Sequence, residues 1–328
     1  MAQTSKKHHY LPQFYVAGFT NKDGNVFVLE HETGVINKQS KNGTFHKRKF
    51  YTVDFSKHPK RDPESTYRIR KSLGIENVDT SHVEEYPDMI EDLLGESETI
   101  SAPIIKKLIA RENLTSTERI ELSTFIAFMY TRNPTFHEFV TEFEKKMTED
   151  QIQHIFSSKE KVQELYQKMC DEDGYDKKFD IDELFKFVQE KRYGINIPKE
   201  SNIEVMLMGT TVIDRILYNK TWFVVEAPAE ASFISNDNPV FLDHPILYEK
   251  SAYGVGFGTP DVKVVFPLSK ECLLIMRDSS EGAITIHDKV DRKKVRELNK
   301  MIFARSGDYV FGKDEALVNY LKNMFTAS

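Results

Sequence analysis

The pattern of hydrophobic and polar positions divides the chain into three zones of different period. Asn25-Val26-Phe27-Val28-Leu29-Glu30 and Val35-Ile36-Asn37-Lys38 are strand-like runs on either side of His31-Glu32-Thr33-Gly34. Gly34 supplies the positive φ that a short loop needs, so the pattern predicts a β-hairpin. A third strand is expected over Phe50–Val53. A surface loop containing Pro59 and Pro63 follows from Ser56 to Ser65.

From about residue 81 the period becomes helical. Ser81-His82-Val83-Glu84 has capping-box spacing, Pro87 suits a first turn, and Met89, Ile90, Leu93 and Leu94 recur as one helical face. A second box, Thr115-Ser116-Thr117-Glu118, opens a helix with Ile120, Leu122, Phe125, Ile126, Phe128 and Met129 on a wide apolar face. Pro134 pushes Asn133 out of the helical region, so that helix is expected to break at Arg132-Asn133. Residues 148–193 read as two or three short charged helices around Asp171–Asp176. The acidic run is out of frame for an EF-hand, and Phe179–Ile181 is apolar where the later ligands belong. Ser201-Asn202-Ile203-Glu204 is expected to cap a further helix running to about Tyr218.

Beyond Thr221 the chain alternates again. Strands are predicted over 222–226, 232–235, 262–266 and 272–276, then a helix capped by Asp291 that carries Val295, Leu298, Ile302 and Phe303. Tyr309–Phe311 and Glu315–Phe325 give a last strand and a last helix. This order predicts an α+β fold with an N-terminal β-hairpin or small sheet, a central helical bundle and a C-terminal mixed sheet with helices. The terminal strands are free to share one sheet. We expect a single two-lobed domain, β-rich over 1–72, helical over 73–219 and α+β over 220–328.

Composition adds constraints. The 328 residues are 40% hydrophobic, enough for a sizeable core, and no apolar run approaches the length of a membrane span. No apolar leader follows Met1, and the two cysteines, Cys170 and Cys272, are far apart. A reduced, cytoplasmic setting without disulfides is therefore expected. Net charge is −6, yet residues 1–72 hold 14 Lys/Arg against 6 Asp/Glu, and residues 73–100 hold 9 acids and no base. A phosphate-binding face beside a carboxylate wall would have this asymmetry, and so would two segments that neutralise each other. Lys47, Arg48 and Lys49 are the candidate nucleic-acid contacts.

Chemistry concentrates in a few places. His8-His9 opens the aromatic run Tyr10-Leu11-Pro12-Gln13-Phe14-Tyr15. Neighbours on a strand face opposite ways, so one imidazole is free to act as base or metal ligand while the other fixes local structure. Ser235-Asn236-Asp237-Asn238-Pro239 ends a strand with residues suited equally to an Asx-turn and to a ligand-facing corner. Glu91 and Glu98, seven apart, fall on nearly one helical face. Arg132 ends an apolar helix, where its guanidinium can clamp a phosphate or make a structural ion pair. Asn299 is a candidate buried hydrogen-bonding residue. No Walker A loop, G-x-G-x-x-G, G-x-S-x-G or H-E-x-x-H motif is present.

Taken together, His8-His9-Tyr10-Leu11-Pro12-Gln13-Phe14-Tyr15, Glu91 with Glu98, Phe125-Ile126-Ala127 with Arg132-Asn133-Pro134, Phe233–Val240, Phe266-Pro267-Leu268-Ser269 and the Asn299 helix resemble the DUF4238 family. That family comprises uncharacterised proteins with an HHYVPQFYL-like opening. The resemblance spans nearly the whole chain, departs from the usual Ser at Asn236, and implies that His8, His9, Arg132, Asp237 and Asn238 gather in one place.

From residue chemistry the expectation is a phosphodiester hydrolase, nuclease-like or nucleotide-acting, with Mg²⁺ or Mn²⁺ as a possible metal. His9 serves as base or metal ligand, Asp237 and Glu98 as further ligands, and Arg132 as clamp on phosphate charge. The alternative is a non-catalytic ligand- or partner-binding module of a cytoplasmic multi-protein system.

Overall fold

A computed structural model describes residues 7–52, 88–173, 180–244 and 255–326. The loop expected from Ser56 to Ser65, the box at Ser81 with Pro87, and Gly174–Asp176 lie outside these residues. The chain forms two compact units, Met1–Phe136 with Ile203–Ser328, and His137–Asn202.

The first unit is α+β, as its pattern predicts. Its strands are β1 (Lys7–His9), β2 (Asn25–Glu30), β3 (Ile36–Ser40), β4 (His46–Arg48), β5 (Thr221–Glu226), β6 (Ser235–Asn236), β7 (Phe241–Asp243), β8 (Lys263–Pro267), β9 (Cys272–Arg277), β10 (Thr285–Lys289) and β11 (Tyr309–Gly312). They make three sheets, in the orders β1-β4, β3-β2-β11-β6 and β10-β5-β9-β8-β7. The expected hairpin is β2–β3, with Gly34 at φ 65° in its loop. β11 inserts antiparallel between β2 and β6, placing Phe311 opposite both Val28 and Ser235, so the two chain ends do share a sheet. The five-stranded sheet is mixed, because β5 runs antiparallel to β9 and parallel to β10.

The opening motif touches both larger sheets. A short helix α1 (Gln13–Ala17) buries Tyr15 and Val16. Tyr15 stacks on Phe266 of β8 at 5.3 Å, and Phe19 meets Phe311 of β11 edge-on at 5.5 Å.

Two long helices complete the principal core of this unit. α2 (Met89–Ile109) buries Ile90, Leu94, Ile104, Ile105 and Leu108. α3 (Ser116–Thr131) buries Leu122, Phe125, Ile126 and Met129. Thr115 caps α3 as the spacing foretells. Its hydroxyl accepts from the Glu118 N–H at 3.2 Å, and Glu118 accepts from the Thr115 N–H at 2.9 Å. α3 ends at the expected place, with Arg132 as its C-cap and Pro134 opening α4 (Pro134–Ile155). α7 (Lys199–Asn219) is stopped by a buried cation. Arg119 donates to the carbonyls of Tyr218 at 3.0 Å and Lys220 at 2.5 Å and lies 4.1 Å from the Trp222 ring, satisfying orphan acceptors of the helix end. α8 (Arg292–Ala304), capped by Asp291, and α9 (Glu315–Thr326) close a second core over β6 and β11.

The second unit consists of most of α4, α5 (Lys159–Asp173), α6 (Ile181–Gln189) and the start of α7. Asp180 caps α6 through the N–H groups of Asp182 and Glu183. α4 is a long helix from Pro134, where only short helices from residue 148 were expected. α7 starts at Lys199, so Ser201 sits inside it, and its hydroxyl bonds Glu144 at 2.8–2.9 Å instead of capping.

Two strand expectations move for identifiable reasons. The third N-terminal strand falls at His46–Arg48, because Lys49 adopts φ 49° and breaks the ladder before Tyr51. The predicted strand 232–235 pairs only from Ser235, because other groups claim the preceding backbone donors. The N–H of Phe233 goes to Lys270 and that of Ile234 to the Asn299 side chain. Among the described residues no helix is long and apolar enough to cross a membrane.

Asn299, 1% exposed, accepts from the Ile234 N–H at 3.1 Å and donates to the Ser232 carbonyl at 2.9 Å. Asn299→Leu keeps the volume and orphans two backbone groups. We expect a loss of about 3 kcal/mol, measured as a lower urea midpoint at unchanged slope. A loss below roughly 1 kcal/mol would show that the two groups find other partners.

Candidate acid–base pocket

The alternation of β1 decides what its two histidines can do. His8 is fully buried and His9 is half-exposed. The His8 Nδ1 accepts the Tyr51 N–H at 3.0 Å, and its ring stacks on the Tyr51 ring at 5.8 Å. An Nδ1 that accepts leaves the ring proton of the neutral tautomer on Nε2. His8 is thus a positioning group for Tyr51. The pairing of β1 with β4 sets Lys7 opposite Arg48 and His9 opposite His46. Because i and i+2 share a face and cross-strand partners share it too, Lys7, His9, His46 and Arg48 line one face of this ribbon. The rings of His9 and His46 meet edge-on at 5.6 Å.

Arg132, 1% exposed, joins the parts. It donates to the Glu98 carboxylate at 2.7 Å and to the His9 carbonyl at 2.5 Å, while the Tyr51 hydroxyl donates to the Arg132 carbonyl at 2.7 Å. Burial works to lower the guanidinium pKa, but Tyr51 and Glu98 outweigh it and hold the group above its ordinary value. The cation is permanent. Its two terminal nitrogens donate to Glu98 and the His9 carbonyl, while its buried Nε meets no acceptor among the described residues, so the sequence-predicted clamp acts on the protein's own groups.

A cavity of about 350 Å³ opens beside this pair. The opening motif supplies His9, Gln13 and Phe14; α2 supplies Glu91, Gly95, Glu98, Thr99 and Ala102, one face of a helix. Glu91 lies with its Oε2 3.7 Å from the His8 Nδ1, and this buried oxygen accepts no hydrogen bond among the described residues. Desolvation, reinforced by Glu98 and Asp88 and opposed by Arg132, pushes the Glu91 carboxyl up to about 7. His9 moves the other way. Burial, with His46 and Arg132, lowers its pKa below the usual imidazole value, against the Asn42 backbone and Glu98. Near neutral pH the pocket therefore offers a neutral imidazole and a carboxyl that exchanges its proton.

Asp237 and Asn238 take a different part. The Asp237 carboxylate accepts the N–H groups of Gly307 at 2.9 Å and Asp308 at 2.7 Å. Burial outweighs these bonds and pushes its carboxyl up to about 6. A Cβ at Gly307 would sit 3.0 Å from the Asp237 Oδ2, so a side chain there would crowd the clamp. The Asn238 N–H closes an Asx-turn onto Asn236 at 2.9 Å, and Asn236 donates to the Ile302 carbonyl at 2.7 Å. Asn133 donates to the Asp237 carbonyl, so the consecutive residues Arg132 and Asn133 tie the opening motif to this turn. Tyr15 and Ser235 share a second tie, a 2.7 Å hydrogen bond.

The sequence-predicted residues accordingly divide. His9 and Glu98 line the pocket with Glu91. His8 and Arg132 support its wall, and Asp237 and Asn238 order the neighbouring turn. Lys47, Arg48 and Lys49 are exposed on and just after β4. Among the described residues no three His, Cys, Asp or Glu side chains converge as a metal ion requires. Tyr51 and His46 carry roles that residue type alone did not signal. Tyr51 reads as a strand residue, and His46 gains its place only through the register with His9.

Two outcomes follow from this geometry. Arg132→Met should cost about 3 kcal/mol in urea unfolding, because Glu98 and the His9 carbonyl lose their donor. An effect under about 1 kcal/mol would mean the cation is dispensable. Glu91 has a native pKa raised above its unfolded value, so the native state binds more protons and this residue's contribution to stability falls as pH rises through the window from the ordinary carboxylate value to about 7. Glu91→Gln should therefore become progressively more stable than wild type between pH 5 and pH 8. A pH-independent difference in urea midpoint between the two proteins would contradict the shift.

No curated protein and no solved structure matches the chain. A family model described as a protein of unknown function, DUF4238, matches residues 7–316, which include the opening motif, the α2 carboxylates, Arg132-Asn133-Pro134, the Asp237 turn and Asn299. The chain belongs to the DUF4238 family.

Proposed function

We propose that the pocket is the acid–base centre of a phosphodiester hydrolase. One observation carries this reading. His9 lines the cavity with Glu91 and Glu98, and the same ribbon face presents Lys7, His46 and Arg48 beside it. A cationic strip draws a polyanion by long-range attraction, and proton-transfer groups at its edge meet the phosphate it delivers. His9 is the base and Glu91 the proton donor. Arg132, through Glu98 and the His9 carbonyl, holds both walls at fixed separation.

A second reading, ligand or partner binding without turnover, draws on the burial of His8, Arg132 and Asp237 and the bonds each makes within the protein. Such groups pin a surface as well as they pin a catalytic wall.

The assay that separates the two uses single-stranded RNA, single-stranded DNA and bis(p-nitrophenyl) phosphate, each with Mg²⁺, Mn²⁺ or EDTA. We expect wild-type turnover, and a loss of about 100-fold or more in His9→Ala and in Glu91→Gln, the scale of one acid–base group. Circular dichroism checks that both variants fold. Oligonucleotide binding by the wild type with no turnover under any condition would favour the binding module.

A further inference from the structure

The groups around the cavity differ in what they can do to a phosphodiester, and the difference bears on the substrate. Resting on the acid–base reading above, several polar groups in the wall are already occupied. Glu98 is held by Arg132 at 2.7 Å. The Thr99 hydroxyl donates to the Gly95 carbonyl at 2.8 Å, so its proton is already committed within the helix. The Gln13 amide nitrogen lies 3.5 Å from the His9 Nε2. The groups left to act on a substrate are Glu91, whose side chain keeps 24% exposure at the cavity, and His9, whose contact with Gln13 is long enough for a substrate hydroxyl to displace; both move protons.

Proton transfer alone has a limited reach. One positioned acid or base contributes about 10²–10⁴-fold. Attack on a phosphodiester by water asks for far more, with enzymatic accelerations extending to about 10¹⁷-fold and beyond. A hydroxyl already attached beside the phosphate supplies the difference, since well-oriented intramolecular attack is worth an effective molarity of about 10⁵–10⁸ M. Ribonucleic acid carries such a hydroxyl on the ribose and deoxyribonucleic acid does not.

We infer that the substrate is single-stranded RNA, cleaved by its own 2′-hydroxyl between His9 and Glu91. His9 removes the 2′-hydroxyl proton as the 2′-oxygen attacks phosphorus. The bond from phosphorus to the 5′-oxygen breaks, and Glu91 donates its proton to that leaving oxygen. The products are a 2′,3′-cyclic phosphate and a 5′-hydroxyl, so no water, metal or oxidant enters the step. Proton exchange with solvent then returns His9 to the neutral form and Glu91 to the acid. The required states coexist near neutral pH. His9 is neutral through burial, His46 and Arg132, against Glu98 and the Asn42 backbone. Glu91 keeps its proton through burial, Glu98 and Asp88, against Arg132, with the His8 ring as its other neighbour. The Phe14 ring in the wall offers a surface on which an unstacked base can lie, which favours a single strand over a duplex.

The test uses full-length protein in EDTA with one oligonucleotide sequence in three forms: all-ribose, all-deoxyribose, and ribose with 2′-O-methyl groups at mapped cleavage positions. We expect cleavage of the first form only, cyclic-phosphate termini by mass spectrometry, and at least a 100-fold loss on 2′-O-methylation. Glu91→Gln, folded by circular dichroism, should lose the same order of activity on the all-ribose strand. Equal cleavage of the deoxyribose or methylated strands, or of RNA to products lacking the cyclic phosphate, would overturn the 2′-hydroxyl mechanism and leave the phosphodiesterase reading standing. No cleavage of any strand, here or with added metal, would overturn both.

Discussion

Arg132 is the constraint on which the rest of the site depends. A guanidinium buried to 1% exposure is costly to desolvate, and it persists here because rigid acceptors meet it from two directions. Glu98 belongs to α2 and the His9 carbonyl to β1, while the carbonyl of Arg132 itself receives the Tyr51 hydroxyl. One side chain therefore fixes the separation of a helix and a strand that share no sequence neighbourhood. The cavity lies between those two elements, and its shape follows from that bond set.

The neighbouring turn repeats the device with amides and a carboxylate. Asn133, Asn236, Asp237 and Asn299 are buried, and each bonds backbone donors or acceptors, at least one of them in another segment. Buried amides and carboxylates are tolerable when fully bonded, and once bonded they admit a single arrangement. Here they replace ladder pairing where β6 is only two residues long. The adjacent Arg132 and Asn133 couple the two networks, so the break in helix α3 is itself a structural joint.

Rigidity and reactivity are divided between adjacent residues. His8 faces inward and spends its Nδ1 on the Tyr51 backbone, whereas His9 faces the cavity. The pocket's titratable groups then acquire their properties from burial more than from pairing. Desolvation is the leading cause for both His9 and Glu91, and it acts in opposite directions because one group is cationic when protonated and the other anionic when ionised. A cavity that excludes part of the solvent therefore makes the carboxyl hold its proton more tightly and the imidazole less tightly.

Much of this was legible in the sequence, for local reasons. The capping box at Thr115, the stop at Asn133-Pro134, the Gly34 hairpin, the Asp291 cap and the α+β order follow from short-range rules, because each involves residues within one or two turns of chain. The opposite facing of His8 and His9 follows from strand alternation, and the shared face of Glu91 and Glu98 from helical periodicity. What the sequence left open was every choice that depends on a distant partner. Whether Arg132 meets substrate or Glu98, whether Asp237 faces a cavity or the amides of Gly307 and Asp308, and which residue stands opposite His9 are decided by which segments pack together. Tyr51 and Ile234 were misjudged as regular strand for the same reason. A backbone donor goes to the best acceptor the assembled core provides, and at Tyr51 and Ile234 that acceptor was a side chain from elsewhere in the chain. Residue type sets what a group can do; the tertiary structure set which of those things it is free to do.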